Sequence, residues 1–280
     1  MKPAVLAALA LAALAPFTLY AQRSARPPAR PPATAPARPA APAASRIERA
    51  VPFAVGETLT YDVSWSTFLT AGTVVTTVIE KKPSFNSTAY YIVAEGRPAP
   101  LVARLFALYY KLDTLLDSYT LLAQRGTTYS EEGARHVLRT TRFDRAARKV
   151  FFESKSDTTV EAEFPASPLT QDALSAIYWL RAVAFKAGDR ITLPVSDGGV
   201  TFEAQFQIGA PERVRTGMGE RLAWHVNVSV VDDTRQPVGR NVAVWLSDDR
   251  QRVPVKLQAD LPVGSFGLTL REARSDRPLR

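Results

Sequence analysis

The run Thr170–Lys186 reads TQDALSAIYWLRAVAFK, without Gly or Pro, and lies between Pro168 and Gly188. Ala and Leu favour helix, and Gly188 is a stop signal just past its end. Apolar residues occupy almost every side of the helical wheel, interrupted by Ser175, Arg181 and Lys186. A helix at a surface shows one apolar stripe, whereas a helix apolar nearly all round is buried on most sides. The spacing therefore predicts a single buried helix over about 170–186, and something must enclose it.

On both sides of this run the hydrophobic period is two. In Glu57–Phe68, Leu59, Tyr61, Val63 and Trp65 alternate with Thr58, Thr60, Asp62 and Ser64, as in a strand with one buried face. Ala71-Gly72 reads as a turn into a β-branched partner, Thr73–Glu80. Further strands are expected at Thr88–Glu95, Tyr109–Asp117, Gln124–Ser130, Ala134–Phe143, Lys149–Ser154 and Thr158–Phe164, with a short helical turn within Pro98–Ala107. After Gly188 the pattern resumes at Arg190–Ser196, Val200–Ile208, Glu212–Thr216, Arg221–Val231, Asn241–Ser247, Val253–Ala259 and Ser265–Ala273. Asp197-Gly198-Gly199 is a hairpin turn signal. No helix follows each strand, which disfavours a doubly wound α/β fold. The expected class is mainly β: a strongly curved antiparallel sheet, or incomplete β-barrel, wrapped around the one central helix.

The first fifty residues lie outside this pattern. Lys2, the apolar run Ala4–Leu14 and the segment ending Leu19-Tyr20-Ala21 read as a secretory signal peptide, 1–21, cut after Ala21. Retention as an anchor is the alternative, though the apolar core is shorter than the roughly 20 residues a span needs. Residues 22–50, rich in Pro, Ala and Arg, read as a disordered linker. A β-rich domain is expected over 51–274, with 275–280 as a flexible tail.

Charge follows the same division. Of the net +8, Lys2 contributes one and residues 22–49 contribute five, from six Arg less Glu48. Residues 50–280 are left with a net charge of only +2. A basic face for nucleic acid would survive removal of the leader and linker, and this one does not, so no nucleic-acid partner is expected. The Arg-rich linker could touch anionic surfaces. The chain has no Cys, which excludes disulfides, thiolate chemistry and a lipoprotein anchor, and its two His cannot build a multi-histidine zinc site. Export without Cys fits a bacterial periplasm.

A family resemblance rests on ordered motifs. Gly56-Glu57-x-Leu59-x-Tyr61-x-Val63-x-Trp65 with Ala71-Gly72, Asp172 through Tyr178 to Leu180-Arg181, and Val244-Trp245 through Asp248-Asp249 and Arg252 to Val255 resemble the exported bacterial family DUF3108. Asp113, Asp117 and the closing Gly264 to Leu270 agree, so the resemblance spans about Phe53 to Arg271. It implies an exported β-rich domain and supplies no catalytic residues.

Polar clusters read as structural. Asp248-Asp249 with Arg252 is a tight turn rather than a calcium loop, which would repeat carboxylates at alternate positions. No Gly-x-Ser-x-Gly elbow accompanies His136 or His225. No cofactor or metal is expected. Aromatic residues mark the candidate wall or rim of an apolar cavity: Trp65, Phe106, Tyr110, Tyr178, Trp179, Trp224 and Trp245. The expected role is noncatalytic binding of a lipid or other apolar envelope component. One alternative is a carboxylate hydrolase acting on envelope polysaccharide or lipid, using pairs such as Glu131-Glu132 or Glu161/Glu163. Another is a scaffold for an envelope protein partner.

Overall fold

The computed structural model describes residues 47–275, apart from 67, 106 and 263. The leader, most of the linker, the last five residues and Phe106 therefore lie outside the described residues. Glu48 and Arg49, expected within the linker, bond to the folded part: Ser118 Oγ donates to Glu48 at 3.1 Å and Arg49 N to the Ser118 carbonyl at 3.0 Å.

The chain runs β1 (Thr58–Trp65), β2 (Phe68–Ser84), β3 (Ser87–Pro98), α1 (Pro100–Leu105), β4 (Leu108–Asp117), β5 (Ala123–Glu132), β6 (Arg135–Asp144), β7 (Lys149–Lys155) and β8 (Thr159–Pro165). It continues through α2 (Ala173–Ala182) to β9 (Arg190–Asp197), β10 (Val200–Thr216), β11 (Gly219–Val231), β12 (Arg240–Ser247), β13 (Pro254–Leu261) and β14 (Gly264–Arg274). The strands form two meanders, β1 to β8 and β9 to β14. Antiparallel pairing of β1 with β14, from Thr58↔Arg274 to Trp65↔Phe266, joins them into one 14-stranded sheet. Among the described residues no strand pairing closes it; β8 and β9 are its edges.

The link between those edges is α2. Asp172 caps it: Ser175 N donates to Asp172 Oδ1 at 2.8 Å, and Asp172 N donates to Ser175 Oγ at 3.0 Å. This reciprocal box satisfies first-turn donors that would otherwise be orphaned, and it fixes the start at Ala173. Val183 turns extended (φ −84°, ψ 146°), so the helix is shorter at both ends than the 170–186 expected. The residues ahead of it have another task. Gln171 makes a parallel bridge to Val195 in β9, while its side chain accepts from Ala123 N at 2.8 Å and donates to the Leu121 carbonyl at 2.9 Å. One fully buried residue thus ties an edge strand to the entry of β5.

No residue of α2 is exposed. Ala173, Ala176 and Leu180 join the core cluster of β9 to β14, whereas Leu174 and Tyr178 join that of β2 to β4. The helix serves two half-cores at once, which explains why its sequence lacks a single stripe.

Two expectations, one turn and one strand boundary, are corrected. Ala71-Gly72 lies inside β2, and the reversal comes earlier, where Trp65 pairs with Phe68 and Ser66 has φ 49°. Gly72 is there for closeness rather than for turning: a Cβ would stand 2.4 Å from the Arg97 carbonyl oxygen on β3. Gly72→Ala is expected to destabilise the protein by about 1–3 kcal/mol, because strand backbones must part to admit it; a urea midpoint at wild-type slope measures this. Val200–Ile208 and Glu212–Thr216 are one strand, continued through a register shift between Ile208 and Pro211. A bulge lets Pro sit in a strand without breaking the ladder.

Candidate functional site

Between α2 and the sheet lies an apolar cavity of about 100 Å³. Its wall draws on the helix (Ala173, Ala176) and on both meanders (Leu112, Ala204, Ala259, Phe266). The alanines among these inward positions leave the space, since interiors are otherwise packed to crystal density. No charged side chain is among the described residues that line it.

Tyr61, Thr76 and Tyr178 bring hydroxyl-bearing side chains to the same wall. Tyr61 Oη donates to the Pro254 carbonyl at 2.9 Å. Tyr178, 2% exposed, has a buried hydroxyl without a hydrogen-bond partner, as has Thr76. Thr76 Oγ1 lies close to both phenols and Arg181 close to the Tyr178 hydroxyl, yet none of these contacts reaches hydrogen-bond geometry. Burial, reinforced by the Glu57 carboxylate, pushes Tyr178 up to about 12, so it stays a donor at any ordinary pH. Beside it Arg181 holds Glu57 in two parallel bonds of 2.7 and 2.8 Å.

The aromatic candidates take several positions. Tyr178 lines the cavity. Trp65, Tyr110, Trp179 and Trp224 are half-buried and gather around the core cluster of the second meander without lining the space. Trp65 stacks on Phe266 at 6.1 Å; Tyr110 donates to Glu132 at 2.6 Å; Trp224 Nε1 donates to Asp248 at 2.7 Å. Trp245 points to the other face of β12, where it belongs to a second core cluster. There it donates to Glu212 at 2.6 Å and stacks on His225 at 4.7 Å. Reading for aromatics missed the small residues of the wall. Their signal was alanine at inward positions of the helix and of three strands, Ala94, Ala204 and Ala259.

The acidic candidates do not converge. Glu161 and Glu163 are exposed on β8, and Glu132 is exposed at the end of β5. Asp249 Oδ1 accepts from Ser247 Oγ, Gln251 N and Arg252 N at 2.8–3.0 Å, the bonds of a tight turn. A different carboxylate pair does meet. Asp172 and Asp197 line a second, small pocket with Arg139, Thr128 and Thr141, and Thr114 Oγ1 donates to Asp172 at 2.6 Å. Burial pushes Asp172 up to about 6, and burial plus the neighbouring Asp172 pushes Asp197 up to about 7. The pocket holds only about 10 Å³, room for one water at most. Glycoside chemistry needs a substrate between its two acids, and none fits here.

The chain is thus a mainly β protein whose described strands form one large antiparallel sheet, not closed into a barrel. Its fold is similar to that of a β-barrel-like protein of the domain of unknown function DUF1849 from Brucella abortus, with a TM-score of 0.53 at 14% identity. That likeness covers 80% of this chain and 99% of the other. The chain belongs to the DUF3108 family of proteins of unknown function, whose model matches residues 60–271. More distant is a protein with a YmcC-like fold, taken to be exported, from Bacteroides fragilis: TM-score 0.34, 10% identity, covering 82% of this chain and 100% of that one. A protein taken to be a lipoprotein, from Parabacteroides distasonis, gives 0.36 at 9% identity, over 81% and 100% of the two chains. No curated protein matches.

Proposed function

We propose that this is an exported periplasmic protein that binds, without catalysis, the apolar part of an envelope component in the cavity beside α2. In this reading the sheet curves around α2 as an incomplete barrel. The observation that supports it is the uncharged cavity of about 100 Å³ shared by the helix and both meanders. An engineered cavity of about 150 Å³ lined by Leu, Ile and Phe stays dry and takes up benzene. A space somewhat smaller suits the end of an acyl chain or a compact apolar group, not a whole lipid. The periplasmic setting rests on the leader-like residues 1–21.

The protein carrying residues 22–280 is expected to bind a compact apolar probe such as benzene or a short alkane, read as a rise in Tm with probe concentration. Ala176 lines the cavity from the helix, so Ala176→Leu should abolish that rise while leaving the probe-free Tm unchanged or higher, since Leu fills a void in a good helix former's place. An unresponsive wild-type protein that also carries no copurifying lipid would refute the reading. A scaffold role has one observation behind it: β8 pairs only with β7, and its Thr159–Glu163 are exposed. Such an edge can accept a partner's strand, and pull-down from envelope extract with and without Val160→Pro tests it.

A further inference from the structure

A strand at the margin of a sheet leaves half of its backbone groups unpaired, and the phase of its one ladder decides which half. Ala166 N donates to the Arg148 carbonyl at 2.8 Å, and Ser156 N to the Thr158 carbonyl at 3.0 Å. With Lys149 opposite Pro165 and Ser154 opposite Val160, these bonds mean that Val160, Ala162 and Phe164 exchange N–H and C=O with β7. The N–H and C=O groups of Thr159, Glu161 and Glu163 therefore point away from it, and among the described residues no backbone group meets them. The opposite margin differs. On β9 the Pro194 carbonyl accepts from Gln171 N at 2.9 Å, and Ser196 N donates to the Gln171 carbonyl at 2.7 Å; Pro194 has no N–H to offer.

The side chains of β8 divide by face. Ala162 lies opposite Phe152 on the inner side. Phe152 is buried, and the turn at Gly199 stands against its ring, where a Cβ would come within 2.9 Å. That cover stops at β7, since Val160 is 56% exposed and Ala162 is exposed as well. On the outer side Glu161 lies directly opposite Glu153, and like charges in that position repel. Lys155 bonds to Glu153 at 2.9 Å and Lys149 bonds to Glu163, which among the described residues leaves Glu161 without a cation. A second copy does not answer this. In the registers of greatest overlap, two antiparallel β8 strands would set Glu161 against Glu163, or one of the two against its own copy.

We propose that the β8 edge takes up an extended segment of a partner protein in which apolar and basic residues alternate. The basic residues stand opposite Glu161 and Glu163, and the apolar ones carry the inner face on beyond Val160 and Ala162. This rests on the scaffold role proposed above, and specifies the partner. Backbone bonds to Thr159, Glu161 and Glu163 supply the attachment, while the acidic row selects the strand that is accepted.

Three fluorescein-labelled peptides of about eight residues separate the possibilities: one alternating Lys and Val, one alternating Glu and Val, and one with Lys and Val in separate blocks. Each is titrated with the protein carrying residues 22–280 in about 0.15 M salt and followed by anisotropy. The alternating Lys–Val peptide is expected to bind about tenfold more tightly than either of the others. Glu161→Pro removes an outward donor but no bond to β7, so Tm should hold while Lys–Val binding is lost. Glu161→Lys keeps the donor, and should weaken Lys–Val about three- to tenfold while strengthening Glu–Val. If the Glu–Val peptide binds wild type as well or better and Glu161→Pro abolishes both, the basic-partner inference is overturned and strand acceptance stands. If the block peptide matches the alternating one, or binding survives Glu161→Pro, the attraction is charge alone and the inference is overturned. If none of the three binds, the scaffold reading falls with it.

Discussion

Arg181→Met is expected to lower the free energy of unfolding by about 3–5 kcal/mol, the usual cost of stranding one partner of a buried ion pair. Arg181 and Glu57 are separated by 124 residues in sequence, and their side chains are 0% and 2% exposed. Burial alone would lower the guanidinium's pKa, but the Glu57 carboxylate more than reverses this, and Arg181 stays charged. Its plane also faces Phe53 at 5.3 Å and Tyr178 at 4.9 Å, and its edge donates to the Gln251 carbonyl at 3.2 Å. One side chain therefore joins the segment entering β1, the end of α2 and the turn between β12 and β13. Met keeps much of the packing but leaves Glu57 as a lone buried carboxylate. Replacing both, as Glu57→Leu with Arg181→Met, should recover most of the loss, because a well-packed apolar pair often equals a buried salt bridge. Urea unfolding of wild type, both single variants and the double variant gives the coupling directly. A single-variant loss below about 1 kcal/mol would show that the pair is not buried as described.

That residue also shows how far the sequence could be read. Local periodicity identified α2 and nearly every strand, because alternation and caps are recorded within a few residues of where they act. Arg181, by contrast, looked like an interruption in an apolar helix, and nothing near it named Glu57. Pairings that span the chain leave no local trace: the β1–β14 seam and the grip of Gln171 on Ala123 and Leu121 are of this kind. Gly72 was misread because glycine serves both turns and close backbone approach, and only the neighbour on β3 tells the two apart. The cavity followed the same logic. Aromatics advertise burial by their size, but they fill space. The room was left by Ala173, Ala176, Ala204 and Ala259, whose signal is indistinguishable from ordinary helix and strand packing until both halves are assembled.

The second large effect is a dependence on pH, centred on the contact between the start of α2 and the end of β9. An unfolded aspartate titrates near 3.9, whereas Asp172 and Asp197 are held near about 6 and about 7, chiefly by burial. Between those limits the folded protein keeps protons that the unfolded chain has released. Stability from this pair is therefore greatest near pH 4, falls as pH rises through 6 to 7, and levels off above. Arg139 opposes the shift at Asp197 and Arg145 is drawn to Asp172, but neither restores ordinary titration. Asp197→Asn isolates the effect. Its Oδ1 can still accept from Gly198 N, as the carboxylate does at 2.8 Å. The new amide replaces Oδ2, a buried atom without a partner, and removes the charge that burial disfavours. A shift of about three units would alone correspond to about 4 kcal/mol; since two carboxylates share the titration, about half of that is expected. At pH 8 the variant should gain about 2 kcal/mol, a rise in Tm of about 4–8 °C for a domain of this size. At pH 4.5 it should differ little from wild type, so its profile of Tm against pH should be flatter. Asp172→Asn tests the partner less cleanly, because Asp172 also caps α2 and accepts from Thr114 Oγ1 at 2.6 Å. Thermal melts from pH 4.5 to 8 decide the matter: parallel wild-type and Asp197→Asn profiles would mean that Asp197 is not held protonated by its buried position beside Asp172.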